Sequence, residues 1–220
     1  MSTTFYNPCL LIFAKNLKVG NAKTRIAQTL GEKTSLQIYK VLLEYTMKIT
    51  ENLEYPIYVY WNDSVPESTY PFTDKYHFRK QEGKNLGEKI QNAFQDLLPT
   101  HSPICIIGSD TPYLTENILN SAFQSLTSNA KCCIGPATDG GYYLLGIHSE
   151  PEIWFKDIQW STSSVYNDTL TIALKNNLPT HILPMLSDID TEEDVGQWIK
   201  NDPSVEILFD LKTKNHWYIQ

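Results

Sequence analysis

Residues 103–112, PICIIGSDTP, constrain the fold of this chain more than any other stretch. Ile104–Ile107 is a continuous apolar run, typical of a strand that is buried on both faces of a sheet. Pro112 has no backbone N–H and cannot continue a strand, so we predict that Asp110 lies just past its carboxyl end. Ligands bind at that edge of open α/β sheets, and a carboxylate there suits a divalent metal carrying phosphate oxygens. A turn aspartate explains the residue equally well.

Composition sets broad limits on the fold and the function. The chain has 220 residues, is 41% hydrophobic and 20% charged, and is predicted to form one domain over 1–220 with its core at about 8–200. Its net charge of −7 argues against nucleic-acid binding. No apolar run approaches the ~20 residues of a membrane span, and residues 1–8 lack signal-peptide features. The four cysteines are predicted to be reduced core residues of a cytoplasmic protein.

The segment that follows the first predicted strand, Cys9–Ala14, is basic. Gly20 lets the backbone approach a ligand closely, and a helix beginning near Lys23 offers free N–H groups to an anion. Lys23 and Arg25 are predicted to neutralise a di- or triphosphate, and a solvated loop is the alternative. The segment lacks the glycine that a Walker A loop needs before its lysine.

Periodicity and turn signals predict the other elements. Strands are expected at 56–61, 76–79, 131–136, 142–147 and 181–185, and helices at 34–53, from 86, from 115, at 161–175 and at 191–200. Strands that alternate with helices favour a three-layer α/β domain. Its sheet is expected to be mostly parallel, with helices on both faces and an antiparallel hairpin at Asp139.

Two glycine-containing loops are candidates for ligand contact. Gly83, Asn85 and Gly87 surround the start of a helix and suit a base or ribose, although a plain loop explains them as well. In the predicted hairpin, two glycines permit a tight turn that places Asp139 and Tyr142 close to a second substrate. Alternatively, Asp139 only shapes the turn.

Two further aspartates, Asp188 and Asp190, precede a capping box formed by Thr191 and Asp194. In an extended segment both would face the same side, so one of them is a candidate second metal ligand. Both also suit a position near the N-terminus of a helix. The five histidines lack zinc-ligand spacing, so a zinc site is not expected.

Taken in order, these pieces resemble an uncharacterised bacterial family described as GT-A-like glycosyltransferases, over roughly residues 10–200. The matching pieces are FAK at 13–15 with Gly20 and KTR at 23–25, NLGE at 85–88, GSDTP at 108–112, GP at 135–136 with DGGYYL at 139–144, WST at 160–162, and DIDT at 188–191 with ED at 193–194. The layout is also similar to GT-A nucleotidyltransferases that make phospholactyl-guanosine diphosphate or molybdopterin dinucleotides.

The resemblance implies a GT-A fold and a metal-dependent group transferase that uses a nucleoside triphosphate or a nucleotide sugar and a small-molecule acceptor. It implies Mg²⁺ or Mn²⁺ at Asp110 and Asp190, with Asp188 as the alternative second ligand. It implies phosphate contacts at Lys23 and Arg25, and the other predicted nucleotide or phosphate contacts are Lys15, Gly20, Gly83, Asn85 and Gly87. The predicted catalytic residues are Asp110 and Asp139, and the predicted acceptor contacts are Gly140, Gly141, Tyr142 and Thr162. Both glycosyl transfer and nucleotidyl transfer remain possible reactions. An oligomer is possible, and the alternative function is that of a non-catalytic nucleotide-binding or assembly protein.

Overall fold

Seven strands form one mixed sheet in the computed structural model, which describes residues 6–69, 71–149, 151–156 and 158–205. The strands are β1 (Cys9–Ala14), β2 (Ile57–Trp61), β3 (His77–Lys80), β4 (Ile104–Ile107), β5 (Cys132–Pro136), β6 (Tyr142–Ile147) and β7 (Thr180–Ile182). Their order is β3-β2-β1-β4-β6-β5-β7, and all pairs are parallel except β4–β6 and β5–β6. The mostly parallel sheet and the antiparallel hairpin expected from the sequence are therefore confirmed. Of the C-terminal stretch, residues 206–220 lie outside the described residues.

Helices cover both faces of the sheet. They are α1 (Thr24–Leu30), α2 (Glu32–Thr50), α3 (Leu86–Leu97), α4 (Glu116–Ser128), α5 (Pro151–Phe155), α6 (Val165–Lys175) and α7 (Glu192–Asn201). Alternate residues of β1 point to opposite faces, so Leu10 and Ile12 pack in the core beneath α1, α2, α4 and α7. Cys9 and Leu11 join the second core beneath α3, α5 and α6. This arrangement has the expected three layers.

Two boundary predictions were wrong and one helix was not predicted, each for a local reason. The helix expected from Ser161 begins at Val165, since Ser161 has φ +63°, which a right-handed helix does not contain. The strand expected over 181–185 spans only Thr180–Ile182, and Pro184 lacks the N–H needed to extend its ladder. Helix α5 was not expected, because five residues are too few to show a helical period.

The connection order places a crevice beside β1. The chain leaves β1 toward β2 on one side and reaches β4 on the other, so the topology reverses between β1 and β4. Ile12 of β1 is paired with Ile107 of β4, which aligns the carboxyl ends of the two strands. Open α/β sheets bind their ligands outside such a point.

Two compositional expectations can be compared with the structure. All four cysteines are free and buried, as expected of core residues. In the described part of the chain, no helix is both long and apolar enough to cross a membrane.

Candidate functional site

A cleft of about 790 Å³ opens where β1 and β4 end. It brings together most of the residues singled out in the sequence, although they come from seven different segments of the chain. Those residues are Lys15, Lys23, Arg25, Asn85, Asp110, Asp139, Gly141, Tyr142, Thr162, Asp188 and Asp190. Gly20, Gly83, Gly87 and Gly140 do not line it and instead shape the adjoining loops.

Lys23 is held between two carboxylates at the base of the cleft. Its Nζ lies 3.0 Å from Oδ2 of Asp110 and 2.8 Å from Oδ1 of Asp190. The lysine side chain is only 5% exposed, whereas the carboxylates are 37% and 43% exposed. Burial lowers the pKa of the ammonium, but the two negative charges outweigh burial and raise that pKa. Although burial opposes it, the same pairing lowers the pKa of Asp110. The three residues thus share one charged centre.

The backbone at Lys23 is strained. This residue precedes α1 and has φ 53° and ψ 50°, the left-handed region that costs a residue with a side chain about 1–3 kcal/mol. The buried hydroxyl of Ser35 on α2 donates to the carbonyls of Ala22 and Lys23, at 2.9 Å each. Helix α2 therefore fixes the conformation that points the lysine into the cleft.

Tyr39, also on α2, ties together the loops that follow β1 and β4. The backbone N–H of Lys15 donates to its hydroxyl at 2.7 Å, and that hydroxyl is 2.9 Å from the hydroxyl of Ser109. Burial raises the pKa of Tyr39 to about 12, so the phenol stays neutral. The sequence marks Tyr39 only as one residue of an apolar stripe, and this bridging role was not predicted.

The carboxylate of Asp190 is placed by the capping box that the sequence predicted. The side chain of Asp194 accepts hydrogen bonds from the backbone N–H groups of Asp190, at 3.0 Å, and Thr191, at 2.7 Å. Asp188 also reaches the cleft and accepts a hydrogen bond from Thr111. Burial, and then the charge of Asp110, raise the pKa of Asp188 to about 7.

The β5–β6 hairpin forms one wall of the cleft. Its turn runs from Ala137 to Gly140, with Gly140 at φ +90°, and Oδ1 of Asp139 accepts a hydrogen bond from Gly141 at 2.8 Å. A Cβ on Gly140 would lie 2.1 Å from the carbonyl oxygen of Ser163, so the turn packs directly against the segment before α6. Asp139 itself remains exposed to the cleft.

Two polar side chains of the cleft differ in their hydrogen bonding. Tyr142 lines the cleft, and its hydroxyl is buried without a hydrogen-bond partner among the described residues. The carboxamide of Asn85 caps α3 by accepting from Glu88 N at 2.9 Å. Gly87 packs against Trp160, whose Nε1 would lie 2.0 Å from a Cβ there. Roles of Asn85, Gly83 and Gly87 in nucleotide binding stay predictions.

The donor set fits a divalent metal that arrives with phosphate oxygens. Among the described residues no group of three or more His, Cys, Asp or Glu side chains is arranged to hold a metal. Mg²⁺, however, is usually held by one or two carboxylates and completed by substrate phosphates and water. Asp110 and Asp190 supply such a pair, and both already converge on a cation, the Lys23 ammonium. A metal at this point requires the ammonium to move.

Gly108 has no side chain and so leaves room for the carboxylate of Asp110. A Cβ at Gly108 would lie 2.7 Å from Oδ1 of Asp110, which is the end of a flexible side chain. In Gly108→Ala we expect the carboxylate to swing away, with little change in thermal stability. Because metal–ligand distances tolerate only ~0.2 Å, Mn²⁺ affinity in the presence of nucleotide should fall roughly tenfold or more. Calorimetry measures the Mn²⁺ affinity, and an unchanged value would contradict Asp110 as a metal ligand.

Solved structures share this fold. A protein from Desulfovibrio desulfuricans G20, provisionally assigned as a nucleotide-diphospho-sugar transferase, has a TM-score of 0.81 at 23% identity, covering 93% of this chain and 97% of that one. Rv0371c from Mycobacterium tuberculosis, solved with manganese, has a TM-score of 0.58 at 9% identity, covering 88% and 98%. CMP:2-keto-3-deoxy-manno-octonic acid synthetase, solved with CTP, has a TM-score of 0.57 at 7% identity, covering 91% and 99%. The GT-A-like fold expected from the sequence is confirmed.

Sequence comparison gives one family. The profile of DUF2064, described as an uncharacterised protein conserved in bacteria, matches residues 46–162, just over half of the chain. No match was found among curated proteins.

Proposed function

The chain belongs to the bacterial family DUF2064, and from this premise we propose that it is a divalent-metal-dependent transferase that takes its group from a nucleotide donor. The observation that carries the proposal is the meeting of a basic loop with a carboxylate pair at the topological switch point of the sheet. Lys23 and Arg25 line the same cleft as Asp110 and Asp190. A nucleotide–metal complex requires cationic side chains for its phosphates and oxygen ligands for its Mg²⁺ or Mn²⁺ ion.

The fold relatives support the choice of donor. Among proteins of the same fold, one is provisionally assigned as a nucleotide-diphospho-sugar transferase, one was solved with manganese and one with CTP. We therefore propose a nucleotide sugar or a nucleoside triphosphate as the donor. Both kinds of donor present a diphosphate, which the same basic loop and carboxylate pair would bind.

The residues of the cleft divide the work between donor and acceptor. We assign the phosphate oxygens to Lys15, Lys23 and Arg25, the metal to Asp110 and Asp190, and the acceptor side to the Asp139 hairpin. When bound, the metal neutralises charge on the diphosphate and orients the leaving group. To the carboxylate of Asp139, which lines the cleft, we assign the proton of an attacking hydroxyl.

Lys23 then exchanges partners when the donor binds. In the structure its ammonium occupies the point between Asp110 and Asp190. With a divalent metal bound, Asp110 and Asp190 would hold the metal in place of the ammonium. Lys23 would then be free to contact the phosphate oxygens of the donor. Metal and nucleotide are thus expected to bind together rather than independently.

Lys23→Met tests this exchange. Without the ammonium, the two carboxylates are left uncompensated, so we expect Mn²⁺ alone to bind roughly tenfold more tightly than to the wild type. Nucleotide affinity should fall, because one phosphate contact is lost. Lys15→Met is the matched comparison, since Lys15 lines the cleft but makes no salt bridge among the described residues. Mn²⁺ affinity that is equal in wild type and Lys23→Met would exclude the exchange.

Arg25→Ala tests the phosphate contact. Arg25 lines the cleft, and a charge-assisted hydrogen bond contributes about 1.5–3 kcal/mol, so nucleotide binding should weaken by ~10- to 100-fold. Lys18→Ala is the control, because Lys18 belongs to the same loop but pairs with Asp63 at 3.4 Å outside the cleft. Equal affinity of the wild type for a nucleoside and its nucleotide would contradict phosphate binding.

The proposed function as a whole is tested by incubating the protein with a pool of nucleoside triphosphates and nucleotide sugars, with and without Mn²⁺. With Mn²⁺ present, mass spectrometry should detect the loss of one donor and the formation of a nucleoside diphosphate or pyrophosphate. Without Mn²⁺, neither change is expected. Nucleotide binding that is independent of metal and gives no product would instead identify a non-catalytic nucleotide-binding protein.

A further inference from the structure

The cleft carries balanced charge. Four cationic side chains line it, and so do four carboxylates. The cations are Lys15, Lys23, Arg25 and Lys89, and the carboxylates are Asp110, Asp139, Asp188 and Asp190. A second anionic substrate can bind only if cations remain after the donor has been accommodated.

The proposed donor uses most of the cations. A divalent metal would match the charges of Asp110 and Asp190, and Lys15, Lys23 and Arg25 would match the charges of the nucleoside diphosphate that is released. Lys89, from α3, is then the remaining cation among the described lining residues, together with the carboxylates of Asp139 and Asp188. This remainder holds one cationic side chain and two carboxylates, so it does not attract an anion.

The wall formed by the hairpin and the segment before α6 offers hydrogen bonds instead of positive charge. Residues 132–147 and 158–165 contain no Lys, Arg or His. In the part of the chain that the structure describes, the hydroxyls of Ser161 and Ser163 and the Oδ2 atom of Asp139 have no hydrogen-bond partner. Tyr142 and Trp160 add aromatic side chains to this wall.

We propose, on the basis of the proposed function, that the acceptor is an uncharged molecule that attacks through a hydroxyl group and carries no phosphate or carboxylate. With a nucleotide-sugar donor, the acceptor oxygen forms a bond to the anomeric carbon. The bond from that carbon to the diphosphate breaks, and the nucleoside diphosphate leaves with the electron pair. The hydroxyl proton passes to Asp139 and then to solvent. A phosphorylated acceptor is disfavoured by the charge of this wall.

Inorganic phosphate is a direct probe of the wall. The protein is first saturated with Mn²⁺ and the nucleoside diphosphate it binds best, which tests the proposed donor site independently. Phosphate is then titrated by calorimetry. We expect no saturable phosphate binding to the loaded wild type, and saturable binding to Asp139→Lys with an affinity roughly tenfold or more above the detection limit of the titration. Saturable binding to the wild type overturns the proposal, and so does an Asp139→Lys variant that gains no affinity.

A turnover experiment tests the same inference with natural acceptors. Small molecules from a bacterial extract are separated by anion exchange into an unbound and a bound fraction, and each is incubated with donor and Mn²⁺. Product should form with the unbound fraction, whereas product from the bound fraction would overturn the proposal. If the donor binds with metal but neither fraction yields a product, the result counts against the proposed transfer. The phosphate titration would still show whether the wall binds an anion.

Discussion

Asp110→Asn is expected to abolish Mn²⁺-dependent nucleotide binding while the protein remains folded. The substitution keeps the size of the side chain but removes the negative charge that holds Lys23 at 3.0 Å and that we assign to the metal. Folding should change little, because the side chain is 37% exposed at the edge of the cleft rather than packed in the core. Calorimetry at fixed Mn²⁺ measures the effect, and thermal melting confirms the fold.

Asp63→Asn is the matched control for this experiment. Asp63 is also paired with a lysine, at 3.4 Å, and its side chain is 45% exposed, but it does not line the cleft. Its substitution should leave nucleotide binding unchanged. If Asp110→Asn retains the full Mn²⁺-dependent gain in affinity, the metal is not bound at Asp110, and the assignment would have to move to Asp188 and Asp190.

The position of Asp110 could be predicted from the sequence because its signal is local. A short apolar run, a glycine and a proline within ten residues identify a buried strand and its end. The charged centre could not be predicted in the same way. Lys23 lies 87 residues from Asp110 and 167 residues from Asp190, so their contact depends on how the sheet is ordered. The sequence predicted a phosphate-binding lysine, and the structure shows the same lysine paired with both carboxylates.

Other features escaped the sequence for related reasons. The hydroxyl of Tyr39 joins Lys15 and Ser109, which lie 24 and 70 residues away, while periodicity shows only that its ring is buried. Tyr142 was expected to face a second substrate, and it lines the cleft, but the burial of its hydroxyl without a partner among the described residues depends on tertiary packing. Side-chain type and spacing predict which loops form the site, and tertiary packing determines which atoms are available there.

Asp139→Asn is expected to preserve donor binding and to lower the rate of transfer by ~10²- to 10⁴-fold, the usual effect of losing a general base. The turn should survive, because the Asn Oδ1 can accept the hydrogen bond that Gly141 N–H donates to Asp139 at 2.8 Å. Asn also removes the negative charge while keeping the size of the side chain. Donor affinity by calorimetry and turnover by mass spectrometry therefore separate chemistry from binding.

Asp168→Asn provides the control for this second experiment. Asp168 accepts a hydrogen bond from Ser164 at 2.8 Å beside the same wall, but it does not line the cleft. It should retain turnover close to that of the wild type. Near-normal turnover of Asp139→Asn as well would mean that Asp139 only shapes the hairpin and that the acceptor proton leaves by another route. Loss of turnover in Asp139→Asn alone, with donor affinity intact, would place the acceptor's hydroxyl at this carboxylate, since no other charged side chain belongs to residues 132–147 or 158–165.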